Sequence, residues 1–189
     1  MADEQRIWDD YLNKGAFAEL YRFYAHDLLQ YGYRILPDRQ QVQDHLQDLF
    51  FYLWKNREGL THVREPRFYL YKSLRNRILR SIESSKNLQS LDFQPTADSA
   101  SPWDNPAWME SEHQSALTGK LHAALSRLPA RQQEAIQLRY YHGFSTEEIA
   151  QIMKINEQSI RNLLFRAILH LRAQMPAVSV TLLLGLPVY

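Results

Sequence analysis

The sequence predicts an all-α protein built as two small helical domains, an N-terminal helical bundle and a C-terminal helix-turn-helix, joined by a flexible linker. Three observations predict it. Apolar residues recur at spacings of three and four over most of the chain, the stripe of an amphipathic helix. No segment alternates with period two for long enough to argue a strand. Between the periodic halves lies a serine-rich, acidic stretch with Pro95, Pro102 and Pro106, which reads as a tether. The expected boundaries are 1–86 for the first domain, 87–118 for the linker, 119–175 for the second domain and 176–189 for an apolar tail.

In the first half, Phe17, Leu20, Tyr21, Tyr24, Leu28, Tyr31 and Ile35 form one stripe, which Pro37 ends. A second helix is expected from about Arg39 to Arg57, with Val42, Leu46, Leu49, Phe50, Leu53 and Trp54 turned inward. Gly59 and its polar neighbours make a loop. Pro66 suits the first turn of a third helix, whose Leu70, Tyr71, Leu74, Ile78 and Ile82 share a face. In the second half, helices resume near Gly119, and Leu121, Leu125 and Leu128 precede a helix that Pro129 can open and Gly143 can close. Ser145 and Glu148 make a capping box, and Asn156 is a good N-cap for the helix that follows. Two short helices with this punctuation have the form of a helix-turn-helix.

Composition removes several classes of function. There is no cysteine among the 189 residues, which excludes disulfides, thiolate metal sites and cysteine nucleophiles and fits a reducing cytosol. The first residues are acidic and lack an apolar core, so no signal peptide is expected; no run of about 18 apolar residues argues a membrane span. There is no Gly-rich phosphate loop and no HExxH, so neither a cofactor nor a catalytic group is expected. The seven histidines are scattered, and His45, beside Asp44 and Asp48, reads as helix surface rather than a metal ligand.

Charge is segregated although the net value is only +1. Residues 62–86 hold seven bases against two acids, and 154–174 hold four bases against one. Between them, residues 87–118 hold Asp92, Asp98, Asp104, Glu110 and Glu112 and no base. Basic surfaces flanking an acidic one fit contacts with a polyanion, although three ordinary solvated faces fit equally. On the last helix, Ile160, Leu164, Ala167, Ile168 and Leu171 share the inner face. Gln158, Ser159, Arg161, Asn162 and Arg166 lie opposite, side chains able to reach base edges and phosphates from a major groove. A protein-binding or merely solvated helix pair is the competing reading.

Two motifs then carry a resemblance. "LPARQQEAIQLRYYHGFSTEEIAQIMKINEQSIRNLLFRAILHLR" closely resembles region 4 of the sigma-70 family of initiation factors of bacterial RNA polymerase. "QDHLQDLFFYLW" followed by "LYKSLRN" resembles region 2. Their order and separation resemble the short extracytoplasmic-function class, over about residues 10–85 and 120–174. The resemblance implies a cytoplasmic, non-enzymatic initiation factor whose partners are core RNA polymerase, promoter DNA and an anti-sigma factor. It implies that Asp44, Gln47 and Asp48 grip a coiled coil on the clamp of the largest polymerase subunit. It also implies that Arg64, Arg67, Lys72, Arg75, Asn76 and Arg80 serve the −10 element as it melts. On the spacing alone, Lys72, Asn76 and Arg80 form an i, i+4, i+8 stripe facing away from the core, with Arg75 and Arg77 on its flanks. Gln158, Ser159, Arg161, Asn162 and Arg166 would read the −35 element. A stand-alone helix-turn-helix regulator, or an interaction module that does not bind DNA, remains the alternative from sequence alone.

Departures from the family pattern raise four questions. Lys154 stands where the turn usually has Gly, so the backbone must avoid positive φ or accept strain. Tyr69 stands where the family usually has Trp, either to stack on a base or to pack on the bundle. Phe165 and Leu169 are apolar on the face opposite the core. The tail, "PAVSVTLLLGLPVY", is too short to span a bilayer. It would dock on the protein, either over Phe165 and Leu169 or as extra core, or offer a surface for homodimer pairing. The acidic linker would thread the transcript exit path as an electrostatic stand-in, with Trp103 and Trp108 as anchors. Neutralising its five acids should therefore weaken core binding and change the yield of abortive transcripts; unchanged values in both assays would remove that role.

Overall fold

The computed structural model describes residues 2–88, 121 and 123–174, and every regular element among them is helical. The chain divides into two compact units. The linker acids, Trp103, Trp108 and the tail 176–189 lie outside the described residues.

The N-terminal unit packs four helices: α1 (Ala2–Lys14), α2 (Phe17–Ile35), α3 (Arg39–Lys55) and α4 (Pro66–Leu88). A 3-10 turn, Arg57–Leu60, follows α3. The first helix was not read from the sequence, yet its signals are there. Asp3 and Glu4 occupy the first turn and Lys14 the last, suiting the helix dipole. Gly15, at φ +69, stops it. Its face of Ile7, Trp8 and Tyr11 is buried, and the Tyr11 hydroxyl donates to the Leu53 carbonyl at 2.5 Å. Burial pushes that phenol up to about 12.

The remaining helices bury the expected stripes: Leu20, Tyr24, Leu28 and Tyr31 from α2, Val42, Leu46, Leu49, Phe50 and Leu53 from α3, and Leu70, Tyr71, Leu74 and Ile78 from α4. Asp38 caps α3 by accepting from the Gln41 amide at 3.0 Å. Trp54 corrects the sequence reading, being 56% exposed rather than inward. It sits at the last turn of α3, its ring nearly perpendicular to that of Phe17 with centroids 5.5 Å apart. Tyr21, placed in the core stripe of α2, is likewise exposed and lies against Phe50. At Gly32, α2 and α3 approach so closely that a Cβ would stand 2.5 Å from Val42 Cγ1.

The C-terminal unit contains α5 (Ala130–Ile136), which runs into a π turn, Gln137–Tyr141, then α6 (Thr146–Met153) and α7 (Glu157–Gln174). The His142 amide reaches back to the Gln137 carbonyl, and Gly143 at φ +70 then turns the chain so that Phe144 enters the core. The buried side chains of Gln137 and His142 face each other, Nε2 to Nε2, at 3.1 Å. The capping box of α6 is complete: Ser145 Oγ accepts from the Glu148 amide and Glu148 accepts from the Ser145 amide. Asn156 caps α7 through the Ser159 amide at 2.8 Å.

Lys154 resolves one of the sequence questions. It adopts φ 56, ψ 45, left-handed backbone, and in that conformation the amides of Lys154 and Ile155 both turn back to the Ala150 carbonyl and close the connection. That conformation costs a side-chain-bearing residue about 1–2 kcal/mol. Replacing Lys154 by Gly should therefore stabilise the C-terminal unit by about 0.5–1 kcal/mol, after the extra chain entropy of glycine is deducted. Gly32→Ala should instead destabilise the N-terminal unit by about 1–3 kcal/mol through overpacking. Urea unfolding followed by circular dichroism measures both.

Candidate functional site

Three surfaces carry the predicted site residues. The first is the outer face of α7. Gln158, Arg161, Asn162 and Arg166 are exposed there, and Ser159, whose amide donates to the Asn156 side chain, is half-buried. In the free chain this face is partly self-satisfied. Arg161 pairs with Glu157 at 2.6 Å, and Gln158 Nε2 donates to Asn162 Oδ1 at 3.3 Å. Both are exposed i, i+4 contacts, so a phosphate or base edge can displace them at a cost of only about 0.3–0.5 kcal/mol each. Phe165 is 62% exposed and Leu169 49% exposed on the same face.

The second surface belongs to α4 and the loop before it. Arg64 and Arg80 are exposed, Lys72 and Asn76 are half-buried, and Lys72 Nζ lies 4.9 Å over the Phe68 ring. Arg67 pairs with Glu4 of α1 at 3.6 Å, a link the sequence reading lacked because it lacked α1. Arg75 does not flank an exposed stripe. It is only 7% exposed, since position 75 falls beside Tyr71, Leu74 and Ile78 on the inner side of the helix. Asn76 also turns partly inward, with Oδ1 buried and accepting no hydrogen bond among the described residues. Tyr69 packs on the bundle, its ring centroid 6.4 Å from that of Trp8. Burial raises its phenol above the usual tyrosine value, and its hydroxyl bonds with Tyr52 and Ser73. The Tyr52 ring in turn carries the Arg77 guanidinium at 5.5 Å.

Comparison with known proteins gives these surfaces a family. Residues 20–87 match the family described as Sigma-70 region 2, and residues 118–171 match Sigma-70, region 4. The ECF RNA polymerase sigma factor SigL of Mycobacterium tuberculosis is 30% identical over 167 residues, covering 86% of this chain and 90% of that protein. The chain belongs to the sigma-70 family, in its ECF class. It is thus a polymerase-associated, promoter-specific initiation factor and not a stand-alone regulator. The ECF sigma factor SigM of Bacillus subtilis is 24% identical over 82% of this chain and 92% of its own length. The helical fold is shared with the sigma factor RpoE of Bartonella quintana, solved with the anti-sigma factor NepR, at TM-score 0.61 and 20% identity over 84% of this chain and 95% of that one. It is also shared with CnrH, solved with the cytosolic domain of CnrY, at TM-score 0.53 and 19% identity over 85% and 88%.

In this sigma factor the third surface lies on α3, where Asp44, Gln47 and Asp48 are all exposed at i, i+3, i+4. Phe51, 66% exposed, continues the same stripe at i+7 and was missed, although its spacing from Asp44 was visible. His45 is not plain helix surface as predicted. Half-buried, it meets Ser81 Oγ at 2.8 Å, and because the Ser81 hydroxyl already donates to the Ile78 carbonyl, His45 Nε2 is the donor. That bond ties α3 to α4 and holds the acidic face in register with the basic helix. Among the described residues no group of histidines and carboxylates has metal-ligating geometry, and no helix is long and apolar enough to cross a membrane.

The burial difference within α4 separates structure from surface. Arg75→Ala should lower the unfolding free energy by about 1–3 kcal/mol through lost packing and orphaned partners, whereas Arg80→Ala should leave urea unfolding unchanged.

Proposed function

We propose that this sigma factor mounts on core RNA polymerase through the α3 face of Asp44, Gln47, Asp48 and Phe51. The docking surface is the coiled coil on the clamp of the largest subunit. The N-terminal unit then opens the −10 element, and the C-terminal unit reads the −35 element in duplex form. The observation that carries this reading is the exposed α3 face: two carboxylates and an amide rimming an exposed Phe, held in place by the His45–Ser81 bond. A buried aromatic anchor within a polar rim is how protein interfaces concentrate their energy.

On α4, Lys72 and Arg80, with Arg64 from the loop, track the backbone of an unpaired strand, and Asn76 offers an amide to a base. Arg67 joins them on release from Glu4. Arg75 acts only by holding α4 in the bundle. On α7, Gln158, Ser159, Arg161 and Asn162 enter the major groove and Arg166 meets a phosphate. No covalent chemistry is assigned to the chain; its work is recognition and strand separation, carried out in the cytoplasm. A regulator of the anti-sigma type is a fitting partner, since both structural relatives were solved with partner proteins and RpoE's is an anti-sigma factor.

Runoff transcription and core-binding assays with purified polymerase test the assignment. Asp48→Arg should abolish core association, and Phe51→Ala should weaken it about tenfold or more, as loss of an interface anchor does. Arg161→Ala should retain core association and lose promoter use. Normal core binding by Asp48→Arg would overturn the proposal.

A further inference from the structure

The DNA-reading role proposed for α7 leaves two of its exposed side chains only partly explained. Gln158, Asn162, Phe165 and Leu169 form one line along the helix, separated by four, three and four residues. From Gln158 to Leu169 that line runs about 16 Å at about 1.5 Å per residue. The major groove is about 12 Å wide. A helix whose first turns enter the groove thus brings Leu169 out toward a phosphate backbone, a poor neighbour for an isobutyl group. Yet Leu169 is 49% exposed directly below Phe165, at 62%. Among the described residues of the C-terminal unit, the only other large exposed apolar side chain is Tyr141. Phe165 and Leu169 are therefore an apolar surface, one helical turn apart, placed within and just beyond the DNA-reading line.

The residues immediately after α7 have matching chemistry. Residues 175–189 contain no charged side chain. Val178, Val180 and Leu182 alternate with Ser179 and Thr181, so an extended run there presents three aliphatic groups on one side. Gln174 is the last described residue along the α7 axis, and Pro176 lacks the amide hydrogen that a helix interior needs and disfavours helical backbone at the residue before it. Leu169 lies about 7.5 Å back along that axis and Phe165 about 13.5 Å, distances that three to five extended residues cover. A segment tethered this close acts at an effective concentration in the millimolar range.

We propose that residues 178–184 fold back over Phe165 and Leu169 and compete with duplex DNA for the reading face of α7. This rests on the assignment of α7 as the −35 reader. The competition has a distinctive signature. Docking of an uncharged segment is indifferent to ionic strength, whereas DNA binding by Arg161 and Arg166 weakens steeply with salt. The tail therefore scales promoter affinity by a constant factor at every salt concentration. A face left open about one-fifth of the time gives about fivefold weaker apparent affinity.

Two measurements on the full-length chain test this. In the first, chymotrypsin cleavage within the tail of the free protein is timed for wild type and Leu169→Asn. Cleavage at least a few-fold faster in the variant supports docking. Equal rates overturn it, as does protection that grows with protein concentration, which would place the tail on a second copy. In the second, reconstituted holoenzyme is titrated with promoter duplex at low and moderate salt. Removing residues 176–189 should tighten binding about fivefold at both, Leu169→Asn should do the same, and the two together should gain no more than either. An additive pair, or no gain on deletion, overturns the proposal. If Arg161→Ala leaves promoter binding unchanged, the DNA-reading assignment fails instead, and the protease comparison still decides whether the tail docks.

Discussion

The N-terminal unit depends on the burial of one seam. Leu70, Tyr71, Leu74 and Ile78 of α4 are essentially inaccessible, enclosed by contacts with α1, α2 and α3. A helix has a single rotational setting in which such a stripe is wholly buried, so the seam also dictates which cations look outward. Lys72 and Arg80 are delivered to the surface by the same packing that draws Arg75 inside. The polar function of the helix is thus set by its apolar half. The same logic holds for α3, whose buried Val42, Leu46, Leu49, Phe50 and Leu53 turn Asp44, Gln47 and Asp48 outward, and the His45–Ser81 bond adds a polar link to α4.

In the C-terminal unit the corresponding constraint is the turn. Placing α7 across α6 requires left-handed backbone at residue 154, and the chain accepts that conformation on a lysine. The strain is tolerated because both flanking helices are well terminated: the capping box of Ser145 and Glu148 begins α6, and Asn156 begins α7. Ile149, Ile152, Ile160 and Leu164 then bury completely or nearly so between the helices. Caps and core together outweigh a local penalty of about 1–2 kcal/mol.

Electrostatics act here mainly as restraint. Glu4 holds Arg67 and Glu157 holds Arg161, each through a partly exposed pair that contributes little to stability. Such pairs leave both guanidinium charges offset in this structure and readily surrendered to a competing anion. Segregated charge along a nearly neutral chain therefore carries meaning that the net value of +1 conceals.

The sequence by itself determined what local chemistry decides. Helical periodicity, the caps at Ser145 and Asn156, the stop near Pro37 and the polar outer face of α7 were legible because each depends on residues within a turn or two of one another. The coupled region 2 and region 4 motifs were legible for the same reason. Tertiary structure alone decided which side of an ambiguous residue meets another helix. Trp54 lies outside at the last turn of α3, Arg75 lies inside beside the buried Leu74 and Ile78, and Tyr69 packs because Trp8 of α1 is there to receive it. Lys154 became left-handed because the angle between two helices, not the preference of a lysine, sets that backbone. Packing between distant segments leaves no imprint on local spacing, and that is why those positions waited for the fold.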